Sequence, residues 1–315
     1  MRFGIYPGGP VGGDGEIIGS VPDDPAATGS ALAELHGGAP FHVRAYAQYT
    51  DRRERDDLST QEPRAPRRHL GGDTCLDLVL QYQSVSGDVP GFCVFVERMI
   101  AEYGPVLGAV QIGEEPNVTG NAVLDGAFPR VLDAIGAGIV AAKNATHGHC
   151  PDVPVGTNTT QLLGDPAFYR RLLASAPADV VDHLDYIGLD AFPDVFAPLP
   201  PDADPVAVCS WLLSTHRTGA LVPAGLGHLP IHITEHGWPT GPARPGERQR
   251  TMVEAMVTAA LQPDLHVASY THFSLRDAAA DGSLFAGFGL LRADYAPKPA
   301  YLAYRRIVRE HATRR

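Results

Sequence analysis

Short apolar runs recur along the chain at 3–7, 41–49, 76–83, 109–113, 153–158, 186–191, 231–234 and 267–274, each of a length that suits a buried strand. The stretches between them have helical spacing. Over 89–103, Phe92, Phe95, Val96, Met99 and Ile100 fall at intervals that share one helix face. Asp24 followed by Pro25 is a capping acid with proline at the first helical position, and it predicts a helix over 24–36. Further helices are expected over 126–144, 165–175, 205–217, 247–262 and 299–312. The stretch 50–73 breaks this rhythm. It is rich in Arg, Asp and Pro, and is expected to be a long strand-to-helix loop with solvated charges and at most a short helix.

Strands alternating with helices imply a parallel sheet with right-handed crossovers. Eight such units in 315 residues fit a closed (β/α)8 TIM barrel, an α/β fold, spanning residues 1–315 as a single domain. The competing open sheet would offer a Gly-rich phosphate turn opening a helix after an early strand. Gly8, Gly9, Gly12, Gly13 and Gly15 are numerous, but no helix begins directly after them. They are expected to form a flexible loop at the barrel mouth.

Composition narrows the partners. Hydrophobic residues make up 44% and charged residues 19%, as in a globular protein with a sizeable core. The formal net charge of -11 disfavours nucleic acid and anionic membrane, and is neutral on the subject of a sugar. No apolar run reaches the length of a membrane span, and the N-terminus enters a strand at once without a leader pattern. The expectation is a cytoplasmic protein, or one whose leader has been removed. Cys75, Cys93, Cys150 and Cys209 form no close pair, and buried thiols are expected.

Two acids stand out against this background. Glu115 follows 108–112 within Gly113-Glu114-Glu115-Pro116-Asn117, and Glu235 follows 229–233 within Thr234-Glu235-His236-Gly237-Trp238-Pro239. An acid at the mouth of a buried strand is costly unless it does chemistry or has partners. Here the two end the fourth and seventh strands. In a barrel all C-terminal strand ends ring one mouth, so residues far apart in sequence can face one another. A pair of facing carboxyls is what retaining glycoside hydrolysis needs: one attacks the anomeric carbon, the other protonates the leaving oxygen and later activates water.

These motifs resemble those of clan A of the glycoside hydrolases, retaining enzymes built on a (β/α)8 barrel. Glu115-Pro116-Asn117 is similar to the acid/base motif of that clan, and Thr234-Glu235-His236-Gly237-Trp238-Pro239 to its nucleophile motif. The segments 273–277, 288–291 and 297–301 resemble its closing strand and last helix. The resemblance implies a retaining O-glycoside hydrolase with Glu235 as nucleophile and Glu115 as acid/base, acting on a carbohydrate or glycoside and needing no cofactor or metal. Two departures stand beside it. The clan usually has Asn where this chain has Glu114, and often an aromatic hydroxyl or His on strand six, where this chain has Phe192. They motivate the alternative of a carbohydrate-binding barrel that has lost catalysis.

The remaining candidates line up behind the two glutamates. Arg44 on strand two needs an acidic partner, and the resemblance implies that it holds Glu235 ionised, with Glu114 as a second partner. Trp238 could offer its ring to a sugar or fill the core. Asn158 could bind a sugar or cap a turn, as could Asn117. Tyr82, Gln48, Tyr46, His272 and Tyr270 are mouth candidates that interior packing explains equally well. His147, His149 and Cys150 carry metal-binding side chains, but precede strand five and are expected in a loop at the opposite face. The first strand also lacks the His-x-His pair that a metal-dependent barrel hydrolase would want, which leaves that class as a third reading.

Overall fold

The structure, a computed structural model, describes residues 1–51, 66–161, 165, 167–200 and 202–312. Eight parallel strands close into a (β/α)8 TIM barrel. They are β1 (Arg2–Tyr6), β2 (Phe41–Tyr49), β3 (Thr74–Tyr82), β4 (Leu107–Ile112), β5 (Val155–Thr160), β6 (Tyr186–Ala191), β7 (Ile231–His236) and β8 (Val267–Phe273). Each pairs with its sequence neighbour, and β1 closes the ring by pairing with β8. Seven α-helices cover the barrel among the described residues: α1 (Pro25–His36), α2 (Val89–Tyr103), α3 (Val131–His149), α4 (Phe168–Ser175), α5 (Pro205–Thr215), α6 (Gly246–Ala260) and α7 (Pro299–His311).

Alternation along the strands divides the two faces. Leu76, Leu78, Leu80 and Tyr82 of β3, Val110 and Ile112 of β4, and Ile187 and Leu189 of β6 join the apolar core beneath the helices. Phe92 and Phe95 of α2, Ile135 and Ile139 of α3, and Met252 and Met256 of α6 meet them there. The opposite parity fills the barrel interior, and it is unusually polar: Arg44, Asp77, Gln111, Asn158 and Asp190 are all buried. At the bottom of the interior the rings of Tyr186 and His232 stack at 3.9 Å, and the Tyr186 hydroxyl donates to the Val110 carbonyl at 2.9 Å.

Local chemistry starts the helices where the sequence places them. Asp24, Asp88 and Asp204 each accept backbone N–H groups in the first turns of α1, α2 and α5, and each of those turns contains a proline. Three expectations need correction. Helix α3 begins at Val131 rather than 126, because Pro129 follows a short 3-10 turn, Asp125–Ala127. It also runs on to His149, so His147 and His149 lie in its last turn and Cys150 caps it, rather than forming a loop. The glycine-rich stretch after β1 is not simply a loop. Val11–Gly12 and Ile17–Ile18 pair as a small antiparallel ladder, which Asn121 fastens by donating to the Gly13 carbonyl at 3.0 Å. Most of the expected charged loop, 52–65, lies outside the described residues, and a 3-10 turn, Pro66–His69, follows it.

One buried histidine is a stability liability. His216, in the turn His216–Leu221 after α5, is 5% exposed and packs edge-on against Tyr169 at 5.9 Å. Neither ring nitrogen has a partner among the described residues. Burial, helped by the Arg217 charge, pushes its pKa down to about 3. A base whose folded pKa is depressed resists the proton that the unfolded chain accepts, so stability is lost as pH falls below the unfolded value near 6.5. His216→Leu is therefore expected to gain on the wild type as pH falls from 7.5 to 5, by roughly 2 kcal/mol at the lower pH. Urea denaturation at the two pH values measures this; a gap that does not change with pH would disprove the assignment.

Candidate active site

The chain leaves β4 through two residues in left-handed conformation, Gly113 at φ +81° and Glu115 at φ +44°. A Cβ at residue 113 would lie 2.2 Å from Ile135 Cδ1, so the turn requires glycine. At Glu115 the same region is strained for a side-chain-bearing residue, and the surroundings hold it. The Glu115 N–H donates to Asn158 Oδ1 at 2.9 Å, and its carbonyl accepts from Val118 N–H at 2.9 Å. Buried Asp125 fixes the preceding residue: one of its oxygens accepts from Tyr82 N–H at 2.8 Å and Glu114 N–H at 2.9 Å.

Glu235 reaches the interior by a different device. Leu189 pairs with Ile233 and Asp190 with Glu235, so β7 carries one residue more than β6 over this step. Its other neighbour shows the same slip, Tyr270 to Ile233 and His272 to His236. This bulge lets Thr234 and Glu235 both face inward at consecutive positions. Thr234 donates to Asp190 at 2.6 Å, and Glu235 meets β2.

Arg44 is the centre of the site. It is 0% exposed, and its donors are spread over three strands and the β4 turn. Nη1 donates to Asp77 at 3.0 Å, Nη2 to Gln111 at 3.0 Å and Glu114 at 3.4 Å, and Nε to the Tyr46 hydroxyl at 2.9 Å. Nε also lies 3.7 Å from Glu235 Oε1. The Tyr46 hydroxyl passes the contact on by donating to that same glutamate oxygen. Tyr46 of β2 thus sets an aromatic hydroxyl on Glu235.

The acids outnumber this cation. One oxygen each from Glu114, Asp190 and Glu235 lie within 4.8 Å of one another. Asn158 bridges two of them, donating to Glu114 at 3.2 Å and to Asp190. The Glu115 carboxyl in turn makes ionisation of Asp190 costlier. Burial raises the pKa of Glu114, Glu115 and Asp190 well above the ordinary carboxylate range, and their mutual repulsion adds to it. Burial raises Glu235 as well, but Arg44 and the Tyr46 hydrogen bond oppose it. The arrangement therefore supports a charge on Glu235, beside Arg44, better than on Glu115 or Asp190. Three carboxyls at this spacing could also cradle a cation, but Arg44 already supplies the positive charge there.

An aromatic wall leads outward from this cluster. Tyr46 packs edge-on to Tyr6 at 5.5 Å, Tyr6 stacks on Phe273 at 5.1 Å, and Phe192 follows Phe273 at 6.5 Å. Phe196, 6.0 Å further from Phe192, is 63% exposed. Such rings suit the apolar face of a sugar. A separate cavity of about 820 Å³ lies between the turns after β7 and β8, lined by Arg244, Asp277, Arg292 and Lys298, and none of the clustered acids borders it.

Of the residues singled out from sequence, the structure gathers Glu114, Glu115, Glu235, Arg44 and Asn158 into one cluster, with Tyr46. It does not bring Tyr82, His272 or Trp238 to it. Tyr82 has the outward parity of Leu80; its ring packs against Phe92 of α2 and its hydroxyl donates to the Pro129 carbonyl at 3.0 Å. His272 also faces outward, against Tyr304 of α7 with Tyr270 beside it. Trp238 is 6% exposed and belongs to the core, its indole N–H taken by Asp194 at 3.1 Å. Sequence reasoning passed over Asp190, Asp77, Gln111 and Asp125. The parity of Asp190 and Asp77 within apolar strands was the available signal.

No family model matches the sequence, and no curated protein matches it. Solved structures do. A β-glucosidase, 1317, superposes with a TM-score of 0.62 at 16% identity, over 91% of this chain and 88% of that one. A family 39 glycoside hydrolase from Bacteroides cellulosilyticus gives 0.60 at 15%, covering 98% of this chain and 63% of that one. An active-site mutant of the Rhizomucor miehei β-1,3-glucanosyltransferase, solved with laminaritriose, gives 0.57 at 16%, over 95% and 96%. At these identities the likeness establishes the barrel fold.

Removing Arg44 should expose how much the cluster depends on it. Breaking a buried pair from one side typically costs about 3–5 kcal/mol. Arg44→Met is expected to lose that much unfolding free energy at pH 7, and less at pH 5, where the orphaned acids can take up protons. Guanidinium denaturation at both pH values provides the test, and an equal or larger loss at pH 5 would contradict it.

Proposed function

We propose that this chain is a retaining O-glycoside hydrolase, one (β/α)8 catalytic domain acting on a carbohydrate or glycoside. The observation that carries the proposal is the convergence of Glu115 and Glu235, from the ends of β4 and β7, on one buried network joined through Asn158, Asp190 and Arg44. Residues on elements so far apart gain little from such a meeting unless a ligand is handled there. The fold likeness to several glycoside hydrolases is consistent with it.

The roles follow from environment. Glu235, beside Arg44 and accepting from Tyr46, is the acid whose charge is supported, and it attacks the anomeric carbon. Glu115, whose burial and crowding by other carboxyls make ionisation costly, keeps a proton for the leaving oxygen. Departure of the leaving group relieves Glu115 of that proton, so it can then take one from water, and the attacking water releases the sugar from Glu235. Both steps invert the anomeric centre, so the product retains its configuration.

Glu235→Ala and Glu115→Ala are each expected to lower kcat by roughly 1,000-fold or more with the fold intact by circular dichroism. Screening aryl glycosides and polysaccharides, followed by NMR of the first-formed anomer, tests the stereochemistry; an inverted product would refute the mechanism. A mechanism-based fluorosugar should label Glu235, and sugar binding without labelling or turnover would instead support a non-catalytic binding barrel. The pH profile should have a sign. Glu115 must be protonated and its pKa is raised, so kcat/KM should persist above the ordinary carboxylate range and fall as pH rises through that pKa.

A further inference from the structure

Glu114 is a carboxylate where an amide would be the simpler choice, and its contacts are lopsided. Among the described residues, its three side-chain donors all point at one oxygen: Gln111 Nε2 reaches Oε2 at 2.6 Å, Asn158 Nδ2 at 3.2 Å and Arg44 Nη2 at 3.4 Å. One oxygen of Glu114 also lies within 4.8 Å of one of Glu235, in a buried cluster that includes Asp190. Two carboxylates cannot bond one another without a proton between them. With Oε2 saturated as an acceptor, Oε1 is the oxygen left to carry that proton. We propose that Glu114 is a neutral carboxylic acid that donates a hydrogen bond to Glu235, and so acts as a positioning residue for the nucleophile; the proposal rests on the reading of Glu235 given above.

The charges around it support this assignment. From β2 come Arg44 and Tyr46, from β3 Asp77, from β6 Asp190 and from β7 Glu235; Glu115 adjoins it in sequence, and Asp125 holds its N–H. Among the described residues a single guanidinium faces these acids, and it lies against Asp77 and Glu235 as well as Glu114. A second anion beside Glu235 would compete for the same cation. A protonated Glu114 removes that competition and behaves toward Glu235 as an amide N–H would, while its carbonyl oxygen still accepts from Arg44. The side chain of Glu114 is 6% exposed, so water offers it little alternative.

The test has two arms. Infrared difference spectroscopy of wild type against Glu114→Gln at pH 7 reads protonation directly and needs no activity. The expected result is a protonated-carboxyl C=O band in the wild type that the variant lacks; identical carboxyl bands, or loss of a carboxylate band alone, would overturn the proposal. In the second arm, kcat of Glu114→Gln, which keeps a donor, is compared with that of Glu114→Leu, which has none. Glu114→Gln should exceed Glu114→Leu at least tenfold in kcat with a smaller change in KM, and equal kcat values would overturn the positioning role. Should Glu114→Leu fail to fold, Glu114→Met, which also lacks a donor, takes its place in the kcat comparison. Absence of any glycosidase activity in the wild type would count against the proposed function alone, since the infrared arm stands without it.

Discussion

A single guanidinium in the middle of a barrel governs this structure. Arg44 has given up all contact with water, so each of its donors needs a protein acceptor, and the barrel supplies them from β3, β4, β7 and its own strand. Burying an arginine is costly unless its geometry is satisfied on every side. That requirement accounts for the polar interior. Asp77, Gln111 and Tyr46 occupy positions that aliphatic side chains fill in a barrel of purely structural design. They hold the cation in one orientation, and the cation in turn selects which nearby acid can afford to ionise.

Around that centre, two backbone devices aim the acids. The turn after β4 passes through left-handed Gly113 and Glu115, and Asp125 and Asn158 hold it by accepting from consecutive N–H groups. The β7 end uses a bulge. Side chains that look like a second tier are therefore inseparable from the first. Asn158 offers its oxygen to the backbone of Glu115 and its nitrogen to Glu114 and Asp190, so one amide fixes the relative placement of three acids.

Much of this was legible in the chain. Eight apolar runs with helical stretches between them specify the barrel, because strand and helix periods differ and the runs are too short for helices. Glu115 and Glu235 were visible as acids directly after buried strands. Parity was underused. Tyr82 shares the face of Leu76, Leu78 and Leu80, which already assigns its ring to the helices, and Gln81 is the inward residue there. Parity also has limits. The bulge puts Thr234 and Glu235 on the same face, which no alternating pattern foretells. The inward parity of Asp190 is readable, but its partners are not: nothing in Ile187-Gly188-Leu189-Asp190 says that a buried acid will find Thr234 and Asn158 waiting. Such partners come from other strands, and only closure of the ring reveals them.

The extra residue in β7 has an implication for how this scaffold can be altered. Because the slip appears against both neighbouring strands, the placing of Thr234 and Glu235 together on the inner face is set by a residue count. Loop grafts, chimeras and alignments with distant barrels must preserve that count between Ile231 and His236. Removing Thr234 would leave the hydrophobic residues intact, the ladder tidier and Glu235 still inward between Ile233 and His236, yet would strip Asp190 of its hydroxyl donor.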